Sequence, residues 1–304
     1  MSALRVRPTD QPLARVGDDP TVQSPTLGTI ATYPLEELVG ASPLIQAVFR
    51  RIALAAPTRA SVLVVGEPGT ETGAVARAIH MHSARSHGPF VVFRAADRAP
   101  EGVEAALFGD ADGAEDGLIA GADGGTLFVD EVATLPPAAQ AKLLGVLDRQ
   151  EFVPAGGHVR GARNVRVVAV QMGFAGDALG SFLSANLLTA LGTYPIYLPP
   201  LRDRIEDAPL IAEDVLRWRG VERPADRLPL ETRAFLTRRP WPGNVCDLRT
   251  AVEIALDRAA GGPLQPAHFP TPDTNTAATQ LRALVTGWTR ERTAGRAGEP
   301  AGLH

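Results

Sequence analysis

The chain has 304 residues, 45% of them apolar, and a formal net charge of −4. That is length for one large domain or two smaller ones, without the basic excess a nucleic-acid partner calls for, and no apolar run approaches the about 18 residues of a membrane span. The single cysteine, Cys246, rules out an internal disulfide and fits a cytoplasmic protein, and no signal-peptide apolar core opens the chain.

Met1–Tyr33 is polar, aperiodic and punctuated by Pro and Gly, and reads as a disordered tail. Ser42 as N-cap, Pro43 at the first helical position and the spacing Leu44, Val48, Ile52 predict a helix to about Leu54. Ser61–Val65 is a β-rich apolar run, Gly66–Gly73 a turn-forming stretch, and Ala74–His80 helix-periodic. Phe90–Phe93 is a second strand and Gly102–Phe108 a short helix, followed by a Gly/Asp/Ala loop over Gly109–Gly125. Thr126–Glu131 is a third strand ending in two carboxylates. Pro136–Leu147 is a helix with Leu143, Leu144 and Leu147 on one face, and Glu151–Arg163 suggests a hairpin. Val165–Val170 and Tyr194–Leu198 are the fourth and fifth strands, with a helix over Ser181–Leu191 between them. Strands alternating with helices predict an α/β domain with a mainly parallel sheet. After Pro199–Pro200 the pattern is wholly helical, over Ala208–Trp218, Pro229–Arg238 and Asn244–Ala259, a small all-α domain ending near Pro270. Thr271–His304 is polar, with one weak helical piece at Thr279–Arg290.

Strand, glycine-rich turn and helix over Ser61–His80 (SVLVVGEPGTETGAVARAIH) is the layout of a P-loop, in which backbone N–H groups and a helix N-terminus cradle phosphates. The residues do not complete the pattern G-x-x-x-x-G-K-[S/T]. Gly66 fits the first glycine, but Glu71 and Thr72 stand where glycine and lysine belong, followed by Gly73. A carboxylate sits where an anion should be received, and Lys142, the only lysine, is too distant in sequence to substitute by a register shift.

From about Leu35 to Pro270 the chain resembles the AAA+ ATPase domain of bacterial sigma-54-dependent transcription activators. The stretches that carry the likeness include LVGASPLIQAVFRRI, ADGGTLFVDEV, LPPAAQAKLLGVLDRQEFVPAGG, YPIYLPPLRDRIEDAPLIAED and WPGNV followed by DLR. The resemblance implies a P-loop α/β core over 35–200 and a helical lid over 201–270, between an N-terminal tail (1–34) and a polar C-terminal tail (271–304). It also implies a vestigial nucleotide site at Val39, Gly40, Gly66, Gly69, Thr70 and Thr72, with Asp130 and Glu131 matching the pair that positions Mg²⁺ and polarises water. The departures fall at the working positions. Arg94 stands for an asparagine that contacts the glutamate, Met172 for a polar sensor, Ser184 and Ala190 for arginine fingers, and Cys246 for a lid sensor arginine. The loop that carries G-A-F-T-G-A in the family is shorter, with Glu115 and Asp116 after Gly113 and Ala114. The family's helix-turn-helix after the lid and its preceding sensory domain are not matched, and the chain is expected to lack both.

Losing one electrostatic stabiliser costs about 10²–10³ in rate, and losing an arginine finger about 10³–10⁵, so hydrolysis is not expected and the resemblance with its departures implies a pseudo-ATPase. For nucleotide binding two readings stand: N–H groups at Gly66, Gly69 and the helix N-terminus could still hold phosphate, or Glu71 blocks the pocket. ATP with Mg²⁺ is the disfavoured cofactor; Asp130 would hold the metal if one were bound. Arg94 is expected to pair with Glu131 and so fill the water-activation site with protein. Lys142 reads as a solvated helix-face residue and Cys246 as a small, at least half-buried one. His80, His82 and His87 lack a Cys or carboxylate to complete a metal site. The expected function is a non-hydrolysing regulatory or protein-interaction scaffold, its partner an active AAA+ homologue or a second copy. The missing G-A-F-T-G-A weighs against contact with sigma-54, and neither DNA nor membrane is expected as a partner. The alternative is an ATP-binding sigma-54-dependent regulator that keeps nucleotide-dependent assembly.

Overall fold

The structure is a computed structural model that describes residues 38–109, 117–149, 164–173 and 183–271. The N-terminal tail, Glu115 and Asp116, the Glu151–Arg163 hairpin and the Thr279–Arg290 helix lie outside the described residues.

The apolar runs form one five-stranded sheet: β1 (Val62–Gly66), β2 (Phe90–Arg94), β3 (Thr126–Asp130), β4 (Arg166–Met172) and β5 (Tyr194–Leu198). Every pairing is parallel, in the order β2-β3-β4-β1-β5. The inner strands β1, β3 and β4 are buried almost throughout, as strands covered on both faces must be. Alternate residues therefore feed two cores. Leu63, Val65, Leu127, Val129, Val167 and Ala169 pack under α3 (Pro100–Phe108), α5 (Pro137–Arg149) and α6 (Ala185–Leu191). Val62, Val64, Phe128, Val168 and Val170 pack under α1 (Pro43–Ala55) and α2 (Thr72–Met81).

Helix α1 begins where its signals placed it. The Ser42 hydroxyl accepts from the Ile45 N–H and Pro43 opens the first turn. Of the expected inward face Val48 and Ile52 are buried, but Leu44 is exposed and Ile45 takes its place, with Ala55 completing the face. The expected loop Gly109–Gly125 contains a single helical turn, α4 (Leu118–Gly121), which buries Ile119; its first half lies outside the described residues. Helix α6 starts at Ala185, later than Ser181, because Ser184 caps it. Beyond β5, a 3₁₀ stretch over Leu201–Asp207 leads into α7 (Ala208–Trp218), α8 (Leu230–Arg238) and α9 (Asn244–Arg258). These helices bury a separate core of Ile211, Leu216, Leu236, Val245, Leu248 and Val252. This is the helical lid. Among the described residues no helix is long and apolar enough to cross a membrane.

Candidate functional site

In a parallel sheet the crevice lies beyond the carboxyl ends of the strands, where the strand order reverses. Here β1 sits between β4 and β5, so the loop Glu67–Glu71 that leaves β1 and enters α2 occupies that point. The loop folds on itself: the Glu67 carbonyl accepts from the Thr70 N–H at 3.2 Å and from the Thr70 hydroxyl at 2.6 Å. Gly66, Gly69, Thr70 and Thr72 are brought together here, and Met172 pairs with Gly66 at the end of the neighbouring strand. Gly69 has φ +79°, and a Cβ there would lie 2.2 Å from the Gly243 carbonyl oxygen, so only glycine fits.

Glu71 is the N-cap of α2 with φ +74°, in the left-handed region that favours glycine. Its side chain does not cap the helix; it is 6% exposed and accepts from Arg249 Nε at 2.8 Å. Burial pushes the Glu71 carboxyl above its ordinary range, against the opposing charges of Arg249 and Arg204. Burial works against the Arg249 charge too, but Glu71 and Asp214 more than offset it. Arg249 also reaches Asp214 at 3.5 Å. Arg204 is fully buried, donates from Nε to the Pro199 carbonyl and lies 4.0 Å from Asp207.

The lid therefore rests directly on this loop. The Cys246 N–H donates to the Gly69 carbonyl at 3.2 Å. Asn244, itself at φ +56°, donates to the Pro68 carbonyl at 2.9 Å and to Glu67 at 3.4 Å. Arg202 grips the Glu67 carboxylate with both terminal nitrogens at 2.6 Å. Val39, expected with Gly40 in the nucleotide site, packs against the lid, and Asp207 accepts from the N–H groups of Ala41 and Ser42. Sequence reasoning missed Arg249, one helical turn beyond Cys246, because its partner Glu71 is 178 residues away. Cys246 is exposed, not half-buried or buried; desolvation by the loop, then Asp247 and Glu71, push its thiol up.

Asp130 and Glu131 stand at the end of β3. The expected pairing of Arg94 with Glu131 is corrected: Arg94 faces Asp130 in register and lies 3.9 Å from it. Glu131 has already turned away, at φ +55°. Lys142 is not a free solvated side chain: it is half-buried, paired with Glu104 at 2.5 Å, and lies over the Phe108 ring. His80 is buried, its Nδ1 at 2.9 Å from the Thr126 hydroxyl, while His82 and His87 are exposed. Ser184 serves as the α6 cap and Ala190 lies half-buried on that helix. Among the described residues no group of three His, Cys, Asp or Glu side chains could hold a metal ion.

Desolvation, with Asp97 adding to it, pushes Asp130 up against the Arg94 charge; desolvation and then the Asp130 and Asp97 charges push Glu131 up. Acids raised in the folded state bind protons before the unfolded chain does, so their contribution to stability grows as pH falls toward the ordinary carboxylate range. Asp130→Asn removes one such ionisation. Its urea midpoint is expected to exceed wild type most at about pH 7 and to converge by about pH 4; a constant offset would contradict this.

Sheet order, loop position and lid together define a P-loop AAA+ protein: a wound α/β core with a helical lid. Residues 38–179 match the Sigma-54 interaction domain and residues 202–283 an AAA+ ATPase lid domain. The Nif-specific regulatory protein of Herbaspirillum seropedicae is 35% identical over 248 residues, 78% of this chain and 46% of that protein. The regulator NtrC of Escherichia coli is 37% identical over 241 residues, 75% of this chain and 51% of that protein. NtrX of Brucella abortus, solved in complex with ADP, superposes with a TM-score of 0.69 at 31% identity, over 84% of this chain and 61% of NtrX. The chain belongs to the sigma-54-dependent activator family of AAA+ proteins. It spans about half the length of the relatives it matches.

Proposed function

We propose that this chain is a non-hydrolysing regulatory or protein-interaction scaffold, a pseudo-ATPase built on a sigma-54-activator AAA+ core (35–200) and lid (201–270). One observation carries the reading: the position that should receive phosphate holds the Glu71 carboxylate, bound to the lid, beside Thr72 in place of a lysine. The residues do not fit a nucleoside triphosphate with Mg²⁺. The loop brings Glu67 and Glu71 to the place where negative charge would have to enter, and Asp130 is paired with Arg94. Met172, Ser184, Ala190 and Cys246 offer no cation where the family's sensors and fingers act. The partner that suits such a chain is an active AAA+ homologue or a second copy, whose neighbouring site it would leave incomplete.

Calorimetry with ATP and Mg²⁺ on the full chain tests this. Wild type is expected to give no binding heat, and the Glu71→Gly/Thr72→Lys variant to bind. Micromolar binding by wild type would overturn the reading. It would favour the second one, an ATP-binding regulator with nucleotide-dependent assembly, which is supported by Asp130 and Glu131 at the strand end and by the capture of NtrX with ADP.

A further inference from the structure

We infer that Glu71 is a built-in ligand for the lid: its carboxylate, gripped by Arg249, holds α9 against the loop Glu67–Glu71, so that lid closure in this chain requires no bound nucleotide. The inference deepens the proposal above and rests on it in one respect, that the loop Glu67–Glu71 is the place where phosphate would enter.

A loop between a parallel strand and a helix presents N–H groups and the positive end of a helix dipole to an anion. Here the anions are part of the chain. Each of the two loop carboxylates is held by an arginine of the lid segment, Glu67 by Arg202 in a two-pronged contact and Glu71 by Arg249. A tethered anion competes with a free one at a high effective concentration, because it meets its cation without loss of translational freedom. The backbone reports the same commitment. Glu71 is held in a left-handed conformation at φ +74°, which a non-glycine residue keeps only where its surroundings over-determine it. The side chain gains no helix cap in exchange, since it makes no bond to the α2 N–H groups. Its contacts lie on the lid instead. Arg249 is 25% exposed, a second carboxylate, Asp214, steadies its other nitrogen, and the fully buried Arg204 adds its charge to the same pocket. The contact at Gly69 seals the arrangement. The loop backbone approaches Gly243 too closely for any side chain, and the Gly69 carbonyl takes the Cys246 N–H.

Hydrogen exchange on the full chain without nucleotide, read by peptide, tests the latch in wild type, Arg249→Leu, Glu71→Gln and the double variant. Each single change is expected to speed exchange over residues 67–71 and 244–249 by about tenfold or more, from the loss of one charge-assisted bond. The sheet strands should be unaffected, and the double variant no faster than the quicker single one. Unchanged exchange at these two segments, or effects that add, would overturn the latch. Sheet protection verifies that each variant is folded; should Arg249→Leu unfold, Arg249→Lys replaces it and is expected to loosen the same segments by less. The calorimetric outcome is separate. Nucleotide binding by wild type with non-additive exchange sinks the scaffold reading and keeps the latch, and absent binding with additive exchange does the reverse.

Discussion

Asp207→Ala is expected to destabilise the protein by about 3–5 kcal/mol, the cost of breaking a buried, bonded charge. Asp207 is fully buried at the end of the Leu201–Asp207 stretch, on the lid side of the chain. One carboxylate oxygen accepts from the N–H groups of Ala41 and Ser42, at 2.7 and 2.8 Å. The other accepts from the Ser42 hydroxyl at 2.7 Å and lies 4.0 Å from the buried Arg204 guanidinium. Alanine leaves these donors without their acceptor and strands the Arg204 charge, whose terminal nitrogens have no hydrogen bond of their own. The damage spreads to α1, because Ser42 also caps its first turn. Arg204→Leu removes a cation whose one hydrogen bond is the long Nε contact to the Pro199 carbonyl, and leaves Asp207 with its N–H and O–H donors. It is therefore expected to cost far less, about 1 kcal/mol. Urea unfolding of the two variants decides the point. Equal costs would assign the stability to the ion pair and not to the N–H and O–H donors of Ala41 and Ser42.

The same residue marks how far the sequence could be read. The start of α1 was legible because its signals, Ser42 and Pro43, are local. The strands were legible because parallel strands buried on both faces must be apolar nearly throughout. The departure at Glu71 and Thr72 was legible because a motif has fixed spacing. What those side chains do was not. Glu71 meets Arg249 across 178 residues, and Asp207 meets Ser42 across 165. No periodicity encodes such pairings; they arise when the lid closes on the core. Arg94 shows a finer limit. The sequence placed it opposite a strand-end carboxylate, but the choice between Asp130 and Glu131 depends on where β3 stops, and Glu131 leaves the strand at a positive φ. Leu44 shows another. Helical spacing of three or four before Val48 admits either Ile45 or Leu44 to the buried stripe, and packing against the sheet selected Ile45.

Arg166→Leu is the second large effect, expected to cost about 2–4 kcal/mol. Arg166 is the first residue of β4, in a run of valines, and is 1% exposed. Its side chain runs beneath the end of α1. The two terminal nitrogens donate to the Ala56 and Ala55 carbonyls, both at 2.8 Å, and Nε donates to the Ala60 carbonyl at 3.1 Å. The last carbonyls of a helix have no partner within it, and a cation there also meets the negative end of the dipole. Burial, with Arg85 nearby, pushes Arg166 down to about 10, so the side chain stays charged at neutral pH and the contact remains charge-assisted. Leucine fills the space but leaves the buried Ala56 and the half-buried Ala60 without this donor to their carbonyls. Ala55 suffers less, since Thr58 donates to it from both its N–H and its hydroxyl. Arg166→Lys keeps the charge and loses the planar fork, and is expected to fall about midway between wild type and Leu. Were leucine tolerated within about 1 kcal/mol of wild type in urea unfolding, water would have to reach the end of α1 and replace the guanidinium, and the apolar packing of α1 on the sheet would hold that end without Arg166.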